Sequence, residues 1–253
     1  MENITAGEAP VIKFDAEALA PVAMFMAKQD IRYYLNGICV QPAPHGAPGC
    51  VIVATDGCRM AMWHDPYGEC SRLAVLNVSP MLVAASKKRN KTSGGRTVEL
   101  HEGRLVLIGQ EEGELFIQAG KAEIEDCKYP DVWRVVPPAE KLVPGLHGYM
   151  QPRYMREICD VAKLLNSRHK SRGFAYTYAS PSHYSHGTEG NGSIVTRFDN
   201  VENYMVLTMP VRGDQPWPSK SPLPPIFKRR EPETAEKATA SYPTGSMGEQ
   251  VEG

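Results

Sequence analysis

Seven histidines, six cysteines and the Thr55-Asp56-Gly57 turn hold most of this sequence's capacity for bond-making chemistry. Their spacing gives them little to do. Cys39, Cys50, Cys58, Cys70, Cys127 and Cys159 include no CxxC pair and fit no zinc or redox pattern. They read as reduced thiols, buried or half-buried. His183 and His186 stand three apart, with no cysteine or carboxylate triad beside them. Asp56 lacks the further acidic ligands of a calcium loop, and a turn aspartate between two strands is the simpler reading. GxxxxGK[ST], GxGxxG and GxSxG are all absent from the sequence. The expectation is a protein without catalytic residues, metal or cofactor.

Charge is more informative. No acidic residue stands between Ser71 and Arg96, whereas Arg72, Lys87, Lys88, Arg89, Lys91 and Arg96 are all basic. A second basic stretch holds Arg153, Arg156, Lys163, Arg168, Lys170 and Arg172 against Glu157 and Asp160. Lys28 follows the first helical segment. The acids Glu99, Glu102, Glu111, Glu112, Glu114, Glu123 and Glu125 fall in strands and loops instead. Positive charge is thus segregated onto helices, where it can follow a phosphate backbone without reading bases. The alternative is a set of solvated helix ends, where cations are favoured by the helix dipole. Both remain open on charge alone, since the net charge of −1 says nothing either way.

The elements that carry these residues repeat. The 253 residues, 42% hydrophobic and 23% charged, suffice for one large domain or two modest ones. Residues 15–27 read as a helix capped by Asp15, with Pro21 implying a late start or a kink. Residues 33–40 read as a strand with a bulge at Asn36-Gly37, followed by a turn at 41–49 and strands at 51–55 and 59–63. A second helix at 80–88, capped by Ser79, precedes strands at 96–100, 104–110 and 114–119. Residues 127–138 form an extended linker. A third helix at 153–166 has Tyr154, Met155, Ile158, Val161, Ala162 and Leu165 on one face. Strands at 174–178, 193–199 and 204–211 follow, with a polar loop at 180–192. The expected class is α+β, with three modules of one helix plus an antiparallel sheet. Residues 1–12 are expected to be a flexible N-terminus, 13–138 a pair of modules, 139–212 a single module and 213–253 a disordered tail. No run reaches the ~20 apolar residues of a membrane span, and the polar N-terminus is no signal peptide. A cytoplasmic protein with no membrane partner follows as an expectation.

Four strings, in order, resemble one family. Met26-Ala27-Lys28-Gln29-Asp30-Ile31-Arg32-Tyr33-Tyr34-Leu35-Asn36-Gly37 resembles the opening of the middle domain of the bacterial DNA polymerase III beta subunit, the beta sliding clamp. Val53-Ala54-Thr55-Asp56-Gly57-Cys58-Arg59-Met60-Ala61, Tyr129-Pro130-Asp131 with Arg134-Val135-Val136-Pro137, and Tyr204-Met205-Val206-Leu207-Thr208-Met209-Pro210-Val211-Arg212 resemble later strings of that family. The resemblance spans about residues 14–212. It implies a DNA clamp fold whose helices line a hole around duplex DNA, with Lys28, Lys87, Lys88, Arg89, Lys91, Arg153, Arg156, Lys163 and Arg168 toward the phosphates. It also implies a pocket on the sheet side where polymerase and clamp-loader peptides dock. Carried over, that pocket would use Leu35, Thr55, Gly57, Cys58, Arg59, Met60, Pro137, Tyr154, Met209, Pro210, Val211 and Arg212. Arg59 and Arg212 would hold a carbonyl or terminal charge, and the flexible Met side chains would adapt to several peptides.

The chain departs from the family in size. A clamp protomer has three domains of two modules each, and this chain has three modules, as in a shortened version from a phage or mobile element. Cys58 replaces a family histidine, and some forty residues follow the last matching strand. An unpaired third module would expose a sheet edge and an apolar helix face, which leads to an expectation of homo-oligomers sharing that domain. Two functions follow: a sliding-clamp processivity factor, or a clamp relative that binds partner peptides without forming a ring.

Overall fold

Asp15 ends one strand and starts the first helix. Its carboxylate accepts from Glu17 N at 2.8 Å, satisfying a donor that the helix N-terminus leaves open. In the computed structural model, which describes residues 10–87, 95–109, 115–117 (backbone alone), 122, 128–168 and 179–211, β1 (Ile12–Asp15) runs directly into α1 (Ala16–Ala23). Residue 12, expected in a flexible terminus, is therefore in a strand, because Ile12 and Phe14 alternate into the core. Pro21 lies inside α1 and neither delays nor displaces its start. Pro21 has no N–H to donate to the residue four before it, Glu17, which is exposed. The helix closes early, with Phe25 N donating to Val22 O and Met26 N to Ala23 O.

Residues 33–36 also differ from expectation. They curl into a 3-10 turn, Tyr33–Asn36, rather than extending as a strand. Asn36 holds the curl from both ends: its Oδ1 accepts from Asp30 N at 3.0 Å and its Nδ2 donates to Asp30 O at 2.9 Å. The strand begins only at β2 (Ile38–Pro42). β3 (Cys50–Thr55), β4 (Arg59–Asp65), β5 (Glu69–Cys70) and β6 (Ala74–Leu76) complete the first module. α2 (Pro80–Ser86) starts on the Ser79 hydroxyl, which accepts from Leu82 N at 3.1 Å. Arg96 closes it from the other end, donating to Ala85 O and Ser86 O at 3.0 and 3.2 Å. That buried guanidinium is thereby removed from the basic surface. β7 (Thr97–His101), β8 (Arg104–Ile108) and β9 (Leu115–Ile117) follow.

The third module holds β10 (Leu142–Pro144), α3 (Pro152–Arg168), β11 (Pro181–His186), β12 (Ile194–Phe198) and β13 (Val201–Thr208). β11 lies where a polar loop was expected. Its Pro-Ser-His-Tyr-Ser-His sequence has no apolar alternation, and backbone pairing with β10 and β12 makes it a strand. The strand expected at 174–178 lies outside the described residues, as do the terminal segments 1–9 and 212–253.

Among the described residues all pairings are antiparallel, in two sheets. One has five strands, in the order β5-β1-β7-β8-β9, and the other eight, in the order β10-β11-β12-β13-β4-β3-β2-β6. The third module is joined to the first: β13 pairs with β4, from Tyr204 opposite Trp63 to Thr208 opposite Arg59. The central strands of the eight-stranded sheet are buried on both faces. Ile38, Val40, Ile52, Ala54, Ala61, Trp63, Tyr204 and Val206 face one core, together with α1 and α3. Cys39, Val51, Val53, Met60, Met62, Val195 and Leu207 face a second core, closed by Ala27, Leu35, Tyr129 and Val132. Burial on both sides explains why β3 and β4 are apolar almost throughout.

The helices pack on one another through α1, which contacts both α2 and α3. Tyr154, Ile158, Val161, Ala162 and Leu165 of α3 are all buried within the single chain. The apolar helix face that motivated sharing a domain between chains is thus already covered. Tyr204, fully buried against Trp63 and Phe198 with ring centroids 5.4 Å from each, donates its hydroxyl to Pro21 O at 3.0 Å. Burial pushes its pKa well up, so the proton stays in place for that bond. Replacing Tyr204 with Phe is expected to leave the fold intact and the Pro21 carbonyl without a donor. The loss should be about 1–3 kcal/mol, read from urea unfolding midpoints at unchanged m-value.

Candidate partner-binding cavity

Thr55 and Asp56 build the turn between β3 and β4. Thr55 Oγ1 accepts from Gly57 N at 3.0 Å and donates to Arg59 O at 2.8 Å. Asp56 Oδ1 accepts from Cys58 N and Arg59 N at 2.9 and 3.0 Å. Gly57 has φ +91°, and a Cβ there would meet the Arg32 guanidinium at 3.2 Å, so both conformation and space favour glycine. Beyond the turn, Met209 N donates to Cys58 O at 2.8 Å, extending the β4–β13 seam by one more bond.

This turn walls a cavity of about 220 Å³ on the face of the eight-stranded sheet away from the helices. Its lining is Arg32, Leu35, Thr55, Gly57, Cys58, Arg59, Met60, Pro130, Asp131, Val132, Val135, Leu207 and Met209. Three segments converge on it. The 3-10 turn at 33–36 brings Leu35. A second 3-10 turn, Val132–Val135, starts on the Asp131 carboxylate, which accepts from Trp133 N at 3.2 Å, and brings Val132 and Val135. The end of β13 brings Leu207 and Met209. Leu35, Met60, Val132 and Leu207 are buried, whereas Val135 and Met209 are exposed at the rim. The chamber suits apolar side chains, with two methionines able to repack.

Of the residues expected in the pocket, Leu35, Thr55, Gly57, Cys58, Arg59, Met60 and Met209 line this cavity. Pro137 instead lines a separate, larger depression of about 640 Å³ with Val136, Leu142, Tyr184 and Met205. Pro130 and Val135, in the same string, line the cavity in its place, because the 3-10 turn carries the chain past it before Pro137. Tyr154 packs beneath Arg59, Val211 bridges backbone-to-backbone with Tyr149, and Pro210 lies between the seam and that bridge. Arg212 lies outside the described residues.

Arg59 does not present its charge to the cavity as expected. It is buried, its Nε lies 2.9 Å from Asp56 Oδ2, and its Nη1 is ion-paired with Glu157 of α3. Its guanidinium lies 5.2 Å from the Phe25 ring centroid and 5.3 Å from that of Tyr154. Desolvation first, and then Cys58 beside it, raise the Tyr154 pKa. On the cavity's other flank, Arg32 holds Asp30 through Nε and Nη2 at 3.0 and 2.8 Å. The Arg32 guanidinium lowers the Asp30 pKa to about 2.

The expected phosphate contacts divide differently. Arg153 lies over the Tyr154 ring, 3.7 Å from Asp56 and 4.0 Å from Glu157, and Lys163 pairs with Asp160 at 3.0 Å. Lys28, Lys87 and Arg156 are exposed and have no ion pair among the described residues. Lys88, Arg89, Lys91 and the Arg168 side chain lie outside the described residues. His183 and His186 project to opposite faces of β11, which separates them as metal ligands. His183 Nδ1 lies 3.0 Å from Thr196 Oγ1, and burial lowers its pKa. Among the described residues no group of three acidic, His or Cys side chains could hold a metal, and no helix is long and apolar enough to cross a membrane.

No model of a known protein family matches the sequence, and no curated protein matches it. Solved structures do. A Bartonella birtlesii DnaN sliding clamp bound to griselimycin matches with TM-score 0.56 and 15% identity over 84% of this chain and 69% of its own. A Caulobacter crescentus DNA polymerase sliding clamp matches with TM-score 0.51, 14% identity and shares of 83% and 68%. A Pseudomonas aeruginosa DNA polymerase sliding clamp with ligand matches with TM-score 0.50, 17% identity and shares of 84% and 69%. The fold is that of the bacterial sliding clamps. On this clamp fold the cavity occupies the sheet face, and α1, α2 and α3 pack on the opposite one.

Two predictions follow from the charges of this clamp-fold chain. Arg59→Met should cost about 3–5 kcal/mol, because Glu157 and Asp56 lose a buried partner, whereas exposed Arg153→Ala should cost under about 1 kcal/mol. Paired urea titrations compare them. Asp30, followed by carboxyl NMR, should titrate at about 2, and Arg32→Ala should raise it toward 3.8. The depressed value means this pair's stabilisation is present above pH 3.8 and lost as pH falls through about 2.

Proposed function

We propose that this chain is a non-enzymatic, sliding-clamp-type accessory factor of DNA replication that holds partner peptides in the cavity beside the β4–β13 seam. The observation that carries the proposal is the assembly of one apolar cavity by four separated segments on the sheet face of a clamp fold. Polymerase and clamp-loader peptides are the proposed occupants. They would seat aliphatic or aromatic side chains against Leu35, Met60, Val132 and Leu207, and the rim of Val135 and Met209 would adapt to them. Duplex DNA is the proposed partner of the helix side, through Lys28, Lys87 and Arg156 with Lys88, Arg89, Lys91 and Arg168. Such contact would be sequence-independent and weakened by salt. The chain spans 68–69% of each matched clamp, and a shortened, phage- or mobile-element-type clamp is the form proposed. As a replication factor it would act in the cytoplasm.

A specific observation favours a second reading, a peptide-binding clamp relative that forms no ring. Arg153 and Lys163, both expected to face phosphates, already have acidic partners within α3. One experiment separates the two. Light scattering gives the mass in solution, and retention on a nicked circular duplex is then compared before and after linearisation. Retention on circles that is lost on linear DNA supports the processivity factor. A monomer without retention that still binds a fluorescent polymerase-derived apolar peptide supports the second reading. In either case Met60→Glu is expected to weaken the peptide at least about tenfold, since it puts a charge into the apolar floor. Unchanged peptide affinity in that variant removes the cavity from both readings.

A further inference from the structure

Glu157 and Arg153 stand on the first turns of α3, and neither lines the cavity. Yet both hold the turn that walls it. Glu157 pairs with the Arg59 guanidinium and Arg153 approaches Asp56 at 3.7 Å. Asp56 in turn receives the amides of Cys58 and Arg59 and the Nε of Arg59. Tyr154 is common to both, its ring centroid lying 5.3 Å from the Arg59 guanidinium and 5.2 Å from that of Arg153. Arg59 is thereby the only cavity-lining side chain with an ionic link to α3 among the described residues. An arginine at this place with no such anchor would be free to swing into the cavity and pair with a ligand. Anchored, it presents its stem and leaves the chamber apolar.

We infer that Glu157 is a positioning residue for the cavity: by holding Arg59 inward it keeps the 55–59 turn closed and the chamber apolar, and it ties that wall to the helix side of the molecule. The inference rests on the proposed peptide site but reaches beyond it. Arg156 and Lys163 are exposed on the same helix, so a displacement of α3 by anything bound there is delivered to the wall through Glu157 and Arg153. Arg153 is the weaker of the two links, because it is exposed and its contacts are 3.7 and 4.0 Å long. Glu157 and Arg59 form the stronger one, since the pair is buried on the Arg59 side.

The test uses Cys58, which is exposed on the turn, as its reporter, and Cys39 and Cys50, buried in the same sheet, as internal controls. Iodoacetamide labelling of each cysteine is followed by mass spectrometry on the full chain, alongside anisotropy of a fluorescent polymerase-derived apolar peptide. Glu157→Gln is expected to speed Cys58 labelling at least about threefold, to leave Cys39 and Cys50 unchanged and to weaken the peptide about three- to tenfold. Arg153→Gln should do the same by less than about twofold. Acceleration of all three cysteines would show mere destabilisation and overturn the inference. So would unchanged Cys58 labelling, or faster labelling with unchanged peptide affinity. If Glu157→Gln does not fold, Glu157→Asp, which keeps the charge but shortens its reach, is held to the same outcomes. If the wild type binds no peptide, the proposed site falls, and the labelling pattern alone decides whether Glu157 holds the wall.

Discussion

The antiparallel register between β4 and β13 is the constraint on which the remaining structure hangs. It brings Arg59–Trp63 alongside Tyr204–Thr208, so a late strand completes a sheet begun early in the chain. Loop closure over such a separation costs only slowly more as the loop lengthens, and two-sided burial of the joined sheet offsets it. Tyr204 seals one face by reaching Pro21 O, 183 residues away, while Leu207 and Met209 finish the cavity on the other. A one-residue slip would exchange the faces, sending Tyr204 and Val206 to the cavity side and Leu207 to the helices. Core packing and the cavity are therefore two outcomes of a single register.

Arg59 shows how such a seam tolerates a buried charge. Desolvating a guanidinium is costly unless its charge and donors are matched, and here two carboxylates and two aromatic rings share that work. A well-packed apolar residue could fill the same volume. What it could not do is connect the β3–β4 turn, Phe25 just after α1 and the start of α3 through directional contacts. The charge serves geometry, which is why its solvent-facing neighbour Arg153, with longer contacts, is a weak substitute for it.

Much of this was legible in the residues themselves. The apolar run at 51–55, the stripe from Tyr154 to Leu165, the caps at Asp15 and Ser79 and the turn at Asp56-Gly57 each stand where their local physics put them, because each depends on neighbours in sequence. The misreadings have the opposite character. β11 looks like a loop because its side chains are polar, and only the backbones of β10 and β12 make it a strand. Tyr33-Tyr34-Leu35 has the composition of a strand, but Asn36 ties both its amide groups to Asp30 and curls it. Pro137 and Pro130 are indistinguishable as pocket residues until the 3-10 turn at Val132–Val135 sets which one faces the cavity. The inward commitment of Arg59 depends on Glu157, nearly a hundred positions later, and no local pattern announces it.

The β4–β13 pairing also sets a timetable. A ribosome that has just finished Asp65 must add every residue up to Thr208 before the partner strand exists, roughly 7–30 s at usual elongation rates of about 5–20 residues per second. Throughout that interval the β4 edge, with Met60 and Met62 on one side and Trp63 on the other, is an unfilled slot on the nascent chain. The cavity is thus complete only after the third module has been made. A chain that stops short of β13 lacks Leu207 and Met209, so translation that ends early leaves the cavity without one of its walls.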